Sequence, residues 1–504
     1  GIKVGVDGIV LAGNMYIGQN DLGSPTGQLY AETGIDPTFT INSDGIINVA
    51  GSLNVYSGKS FGINQATNVS FGSILNTGTI NIANIGIFTT GTVNSSDDFS
   101  VSAASINAGS VTSTGGDITF TTSGDTSVTD FVTGGTSGAA TINAVNLIAA
   151  DIQNNTGLMD INLTGNLTAS GSVENSGNQM DLNAANVTVS GTIKNDNTSG
   201  IMNLNVSNLT INGGDVSNAS FVNVGDFQAV VSGNTHFEYG VDLSGMGSGN
   251  SFSLNTGTLD FGSGMPADAW LQVFANNLDS MELIVNNGDI DATNIVNGIS
   301  GNTNANMNLQ GQSINATSIQ NDGYELSMTS TDAAGGIYLT SGITNSNISG
   351  TILTATNEIN VVGTINNNGG LILNSDVINL SSIANTGQID ISTSTSTGVF
   401  NVASNITNNN GGIITIESRG INIDGSIINI LGTTNVRGSD SGGGSVQIGG
   451  ISSQGGVVNL ESLIGSISID NDLSVTGGSL NFGASTNTVR SEEHTSELQS
   501  LAYL

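Results

Sequence analysis

The chain has 504 residues but only 6 Lys+Arg against 40 Asp+Glu, a formal net charge of −34 with no cysteine. So few cations leave no basic groove for nucleic acid. The missing thiols remove disulfide frameworks, thiolate metal sites and cysteine nucleophiles together, and no apolar run reaches the roughly 20 residues that span a bilayer. Glycine occupies 71 positions and apolar residues make up 37% of the chain. With abundant Ile, Val, Thr, Asn and Ser, this is a β composition with frequent turns.

In chain order, residues 1–40 read as an irregular lead-in, with Pro25, Pro37, Tyr16 and Tyr30 off any pattern. Residues 41–489 read as a repeat array. One block restarts at Ile152, Val173 and Ile193, at spacings of 21 and 20; another restarts at Ile343, Ile365, Ile383 and Ile406, at 22, 18 and 23. Each unit opens with an aliphatic residue and an Asn/Thr/Gly corner, then alternates apolar and polar positions, as in Met159-Asp160-Ile161-Asn162-Leu163. Alternation of period two marks strands with one buried face. A unit of about 20 residues is too short to fold alone and buries its apolar face by stacking on its neighbours.

The spacing therefore predicts an all-β, elongated parallel β-helix of roughly 20 residues per coil. It would have about 21 coils and form a rod on the order of 100 Å. Ile, Val and Leu would fill the interior in like-on-like ladders, and Asn at equivalent corners could add amide ladders. A string of small β-sandwiches is the competing architecture; the short period and scarcity of aromatics and proline argue against it.

The period loosens near 224–283, which holds His236, Tyr239 and the single tryptophan, Trp270. Pro266 and Asp268 could open a short helix there. His236, Tyr239 and Trp270 are the candidate ligand-binding residues, as aromatics offered to a glycan or packed against the array. Catalysis has weak support. His236 has no Gly-x-Ser-x-Gly elbow around it, acidic pairs are expected by chance in so acidic a chain, and Lys3, Lys59, Lys194, Arg419 and Arg437 are scattered singly. No metal site is assigned. Asp289 and Asp291, two apart on one face, are the weak candidates, with calcium as the ion; no EF-hand loop accompanies them.

Residues 490–504 read as a non-native tail. Arg490-Ser491-Glu492-Glu493-His494-Thr495-Ser496-Glu497-Leu498-Gln499-Ser500 is similar, residue for residue, to the translation of a short-read sequencing adapter. The chain accordingly reads as a fragment.

The repeats Ile365-Asn366-Asn367-Asn368-Gly369-Gly370 and Ile406-Thr407-Asn408-Asn409-Asn410-Gly411-Gly412 resemble those of filamentous-haemagglutinin and autotransporter-passenger proteins of Gram-negative bacteria. That resemblance implies a right-handed β-helix exported by type V secretion. It would act extracellularly or at the outer-membrane surface, as an adhesin or fibre meeting host-cell or matrix glycans or proteins. A surface-layer component and a glycan-processing β-helix are the alternatives.

Overall fold

A computed structural model describes residues 2–4, 8–18, 29–31, 38–134, 138–214, 219–239, 241–242, 246, 250–261, 280–297, 305–346, 350–393, 397–438, 444–463, 465–484 and 489–491. Among the described residues there is no helix, and parallel strands stack as a β-solenoid of about 18 turns, about 22 residues apart. The turns are fewer and longer than the expected 21 coils of about 20 residues because corners absorb insertions. The equivalent corner residues Asn195 and Asn223, for example, lie 28 residues apart. The chain divides into two compact units, Gly1–Pro266 and Ala267–Leu504.

In the first unit the repeat starts lie directly above one another. Ile152, Val173, Ile193 and Phe221 are successive register partners, and all are buried. A second interior file runs Ala140, Met159, Met180, Met202, Phe227 and Phe252. Each turn is too short to enclose a core, so its apolar face is covered only by the turns above and below. Burial of each large aliphatic contributes about 2 kcal/mol, which makes the stack the main source of stability.

The interior is not purely aliphatic, as composition had suggested. Phe61, Phe71, Phe88, Phe99, Phe120 and Phe131 form a continuous file with ring centroids 5.9–6.4 Å apart. Three of these five contacts are edge-to-face and two are tilted, geometries that aromatic pairs favour, and Phe221, Phe227, Phe237 and Phe252 form a second cluster.

The second unit repeats the scheme with different residues. Ile319, Ile343, Ile365, Ile383, Ile406, Ile427 and Ile451 form one unbroken, buried column. Facing it, the strands Gly350–Ala355, Gly370–Ser375, Gln388–Thr393 and Ile413–Ser418 stack in parallel register. Glycine is obligatory where turns meet most closely. A Cβ on Gly109 would lie 2.0 Å from the Gly91 carbonyl oxygen, and one on Gly91 would lie 2.3 Å from that of Gly72.

Three segments hold strands that their sequence reading did not place. Within the lead-in, Ile2–Val4, Ile9–Leu11 and Met15–Ile17 already pair in register with 41–43, 47–49 and 53–55. Their apolar alternation is too short to register in sequence but long enough to add to an existing edge. Within 224–283, Asp226–Phe237 and Ser251–Phe261 continue the stack in register with Ile201–Ile211. One extra residue in the middle of Asp226–Phe237 is absorbed by a register shift on each side, and this is what obscured the period. Near the adapter-like run, Val489–Ser491 pairs with Ile467–Ile469. Pro25, Pro37, Trp270, the helix expected at 266–274 and residues 492–504 lie outside the described residues.

Candidate functional site

The last residue of each aliphatic-x-Asn triplet turns inward at a corner. Thr133 donates to Asn154 Oδ1 (2.7 Å), Asn154 Nδ2 to Asn175 Oδ1 (2.8 Å), Asn175 to Asn195 (2.9 Å) and Asn195 to Asn223 (2.7 Å). Asn223 Nδ2 ends the file on the Met246 thioether, 3.3 Å away. In the second unit Asn345, Asn367, Asn385, Asn408 and Asn429 are linked the same way at 2.8–3.2 Å. Each carboxamide also donates to a corner carbonyl, such as Asn154 to Gln179 O and Asn367 to Gln388 O, both at 2.9 Å. A buried amide costs stability unless its polar atoms are matched. Here each ladder member matches the next, so these asparagines hold the fold and are closed to a ligand.

A second set of side chains clamps corners from outside. Asp98 Oδ1 accepts the Asp117 N–H (3.0 Å), Asp117 Oδ1 accepts that of Ala139 (2.9 Å), and Asp151 Oδ1 accepts that of Ser172 (2.6 Å). Asn146 and Asn208 do the same for Asn166 and Asn234. Asp and Asn thus fill the same role at equivalent corners.

The candidate metal ligands behave likewise. Asp289 Oδ1 accepts the Ser313 N–H at 2.9 Å, and Asp291 Oδ1 accepts Asn315 Nδ2 at 2.7 Å. Each carboxylate binds the next turn, so the two do not form a shared open site. Among the described residues no group of three or more His, Asp or Glu side chains is placed to hold a metal ion.

His236 projects from the outer face between turns, with Thr210 below it and Asp260 above it in register. Its Nδ1 lies 2.9 Å from Asp260 Oδ2 and its Nε2 lies 3.2 Å from Glu238 Oε2. A neutral imidazole donates to only one of these. The carboxylates occupy opposite ring nitrogens, so no nitrogen is left to activate a hydroxyl. Tyr239 is half-buried and anchored through its backbone N–H on Ser220 Oγ at 2.7 Å. Sequence spacing could not link His236 to Asp260, because that partner lies 24 residues away on the next turn.

Among the described residues two titratable groups are shifted. Burial pushes the Glu174 carboxyl above its ordinary range, helped by a hydrogen bond to Asp196 and by the charges of Asp196 and Asp151, with Lys194 opposing. Burial likewise raises the Tyr338 phenol, with Glu358 and Asp289 adding to it. Arg437 lies between Glu417 (3.6 Å) and Glu461 (3.4 Å) on neighbouring turns, a half-exposed ladder of the kind that contributes little.

The outward faces carry repeated amides. In the second unit Asn360, Asn379, Asn401, Asn422 and Gln447 are successive partners on one face. Asn401 donates to Asn379 (2.8 Å), which donates to Glu358 (2.7 Å). In the first unit Asn186 donates to Asn166 and Asn208 to Asn186, both at 2.7 Å. Among the described residues no helix is long and apolar enough to cross a membrane. Comparison of the chain with family models, with curated proteins and with solved structures finds no match.

Proposed function

We propose that this chain is the β-solenoid part of an exported bacterial surface protein, adhesin-like or fibre-forming, that displays columns of amides and hydroxyls and performs no catalysis. The observation carrying this reading is the outward file from Asn360 to Gln447, where one polar side chain type recurs at each turn of the stack. Turns about 4.8 Å apart present donors and acceptors at a regular pitch, suited to an extended polymer such as a host or matrix glycan. The candidate residues with catalytic chemistry are engaged within the fold, His236 by two carboxylates and Asp289 and Asp291 by the following turn. A cysteine-free chain also suits export through an oxidising compartment. The resemblance to filamentous-haemagglutinin and autotransporter-passenger repeats favours the outer surface of a Gram-negative bacterium.

The test is binding of the purified chain to immobilised polysaccharides and to cultured epithelial cells. It is compared with a triple variant N379A/N401A/N422A whose melting curve is checked in parallel. Saturable binding that the folded variant loses supports the reading. Equal binding by the variant, or new reducing or unsaturated sugar ends in the mixture, overturns it. Ordered sheets forming on addition of calcium, without glycan binding, favour a surface-layer component.

A further inference from the structure

Five Asn-Gly pairs occur in the sequence, at 212, 287, 297, 368 and 410; Gly298 lies outside the described residues. The other four sit at corners of the stack, but in different surroundings. Gly213 is pressed against the turn before it, where a Cβ would lie 2.0 Å from Gly191 O. Gly288 is tied to the next turn, its carbonyl accepting the Gln312 N–H at 2.8 Å. Asn368 is held by its own carboxamide, whose Oδ1 accepts from Thr386 Oγ1 at 2.7 Å.

Asn410–Gly411 has none of these restraints. Both residues are exposed and both lie in the left-handed region, at φ 52° and 84°. A Cβ on Gly411 would meet nothing within 4 Å. Among the described residues neither the Asn410 carboxamide nor the Gly411 N–H has a hydrogen-bond partner. The corner is closed at its base, by the Gly412 N–H on the Asn409 carbonyl and by Asn408 Nδ2 on the Gly412 carbonyl, both at 2.9 Å, and neither bond involves Asn410 or Gly411.

We infer that Asn410 is a site of spontaneous modification, where the chain converts to aspartate and isoaspartate while folded. Base removes the Gly411 amide proton, and the nitrogen attacks Asn410 Cγ, forming a new N–C bond. The Cγ–Nδ2 bond then breaks, releasing ammonia and leaving a five-membered succinimide. Water opens the ring at either carbonyl, giving aspartate or isoaspartate, so the net change is asparagine plus water to acid plus ammonia. Glycine at 411 leaves the attacking nitrogen unshielded, and because neither the Asn410 carboxamide nor the Gly411 N–H is bonded, the exposed tip can swing on the two bonds at its base. The isoaspartate product adds a methylene to the backbone at residue 410, inside the corner spanned by the bond from Asn408 Nδ2 to the Gly412 carbonyl at 2.9 Å. Modification therefore loosens the interior amide ladder at that turn.

The experiment ages the full chain at mildly alkaline pH, folded and in urea. Peptides containing 212, 287, 368 and 410 are followed by mass, through replacement of NH2 by OH, and by isoaspartyl methyltransferase labelling. In urea all four should convert at similar rates. In the folded chain 410 should convert several-fold faster than the other three and keep most of its urea rate. N410Q should abolish conversion in its peptide without slowing the others. Folded-state conversion at 410 that is no faster than at 368 overturns the inference, as does conversion that persists in the 410 peptide of N410Q.

Discussion

Asn154 donates its side-chain amide to Asn175 Oδ1 at 2.8 Å with both residues wholly buried. This contact joins two turns of the solenoid through their interiors, and its repetition from Asn154 to Asn223 makes a continuous chain of amides. Inside a stack such a chain has direction, because every Oδ1 accepts from one side and every Nδ2 donates to the other.

Removing one member leaves two buried partners unmatched. Asn175→Ala should lower stability by about 3 kcal/mol, read as a lower urea midpoint. Asn175→Asp should cost more, because a carboxylate cannot donate to Asn195 Oδ1 or to the Ile201 carbonyl. A midpoint within experimental scatter of the parent for both variants would remove the ladder from the account of stability.

The ladder of the second unit lapses where serine takes the asparagine position. Ser453 is the register partner of Asn429, and its buried Oγ has no hydrogen-bond partner. Ser453→Asn should restore the link and raise stability by about 1 kcal/mol, seen as a higher melting temperature. A decrease would show that the corner cannot take the larger side chain.

Leu431 occupies a left-handed corner at φ 60° and is 61% exposed. The equivalent corner on the next turn is Gly455, at φ 73°. A leucine there carries backbone strain with little burial in return, so Leu431→Gly should stabilise the chain by about 1 kcal/mol in thermal unfolding. A loss of stability would mean that packing of Leu431 over Gly455 outweighs the strain.

The pH dependence should carry the mark of Glu174. Its carboxyl is raised in the folded chain, so the folded state holds its proton more tightly than the unfolded state. Stability from this group is fully present below the ordinary glutamate range and declines as pH rises through it toward the raised value. Glu174→Gln should flatten that part of the stability–pH curve. An unchanged slope would assign it to other carboxylates.

If the corner carboxylates act through one acceptor oxygen, an amide should replace them. Asp117→Asn keeps an oxygen for the Ala139 N–H and should stay within about 1 kcal/mol of the parent, whereas Asp117→Ala should lose more. Equal losses in the two variants would assign the role to charge.

The repeat, the inward face and the corner asparagines are legible in the order of residues alone. Ile365-x-Asn367 and Ile383-x-Asn385 announce the same turn because a strand must alternate and a corner must match its polar groups. The tertiary structure alone decided what each residue stands against, since the neighbour in a solenoid lies one whole turn away and turn length varies with corner insertions. It showed the phenylalanine file from Phe61 to Phe131, the strands Asp226–Phe237 and Ser251–Phe261 within the loosened stretch, and the pairing of His236 with Asp260. It also decided how the polar groups are arranged: Asp289 and Asp291 stand out in sequence but are bound to the following turn, while the carboxamides from Asn360 to Gln447 line up, and bond to one another and to nearby carboxylates, only when the turns are stacked.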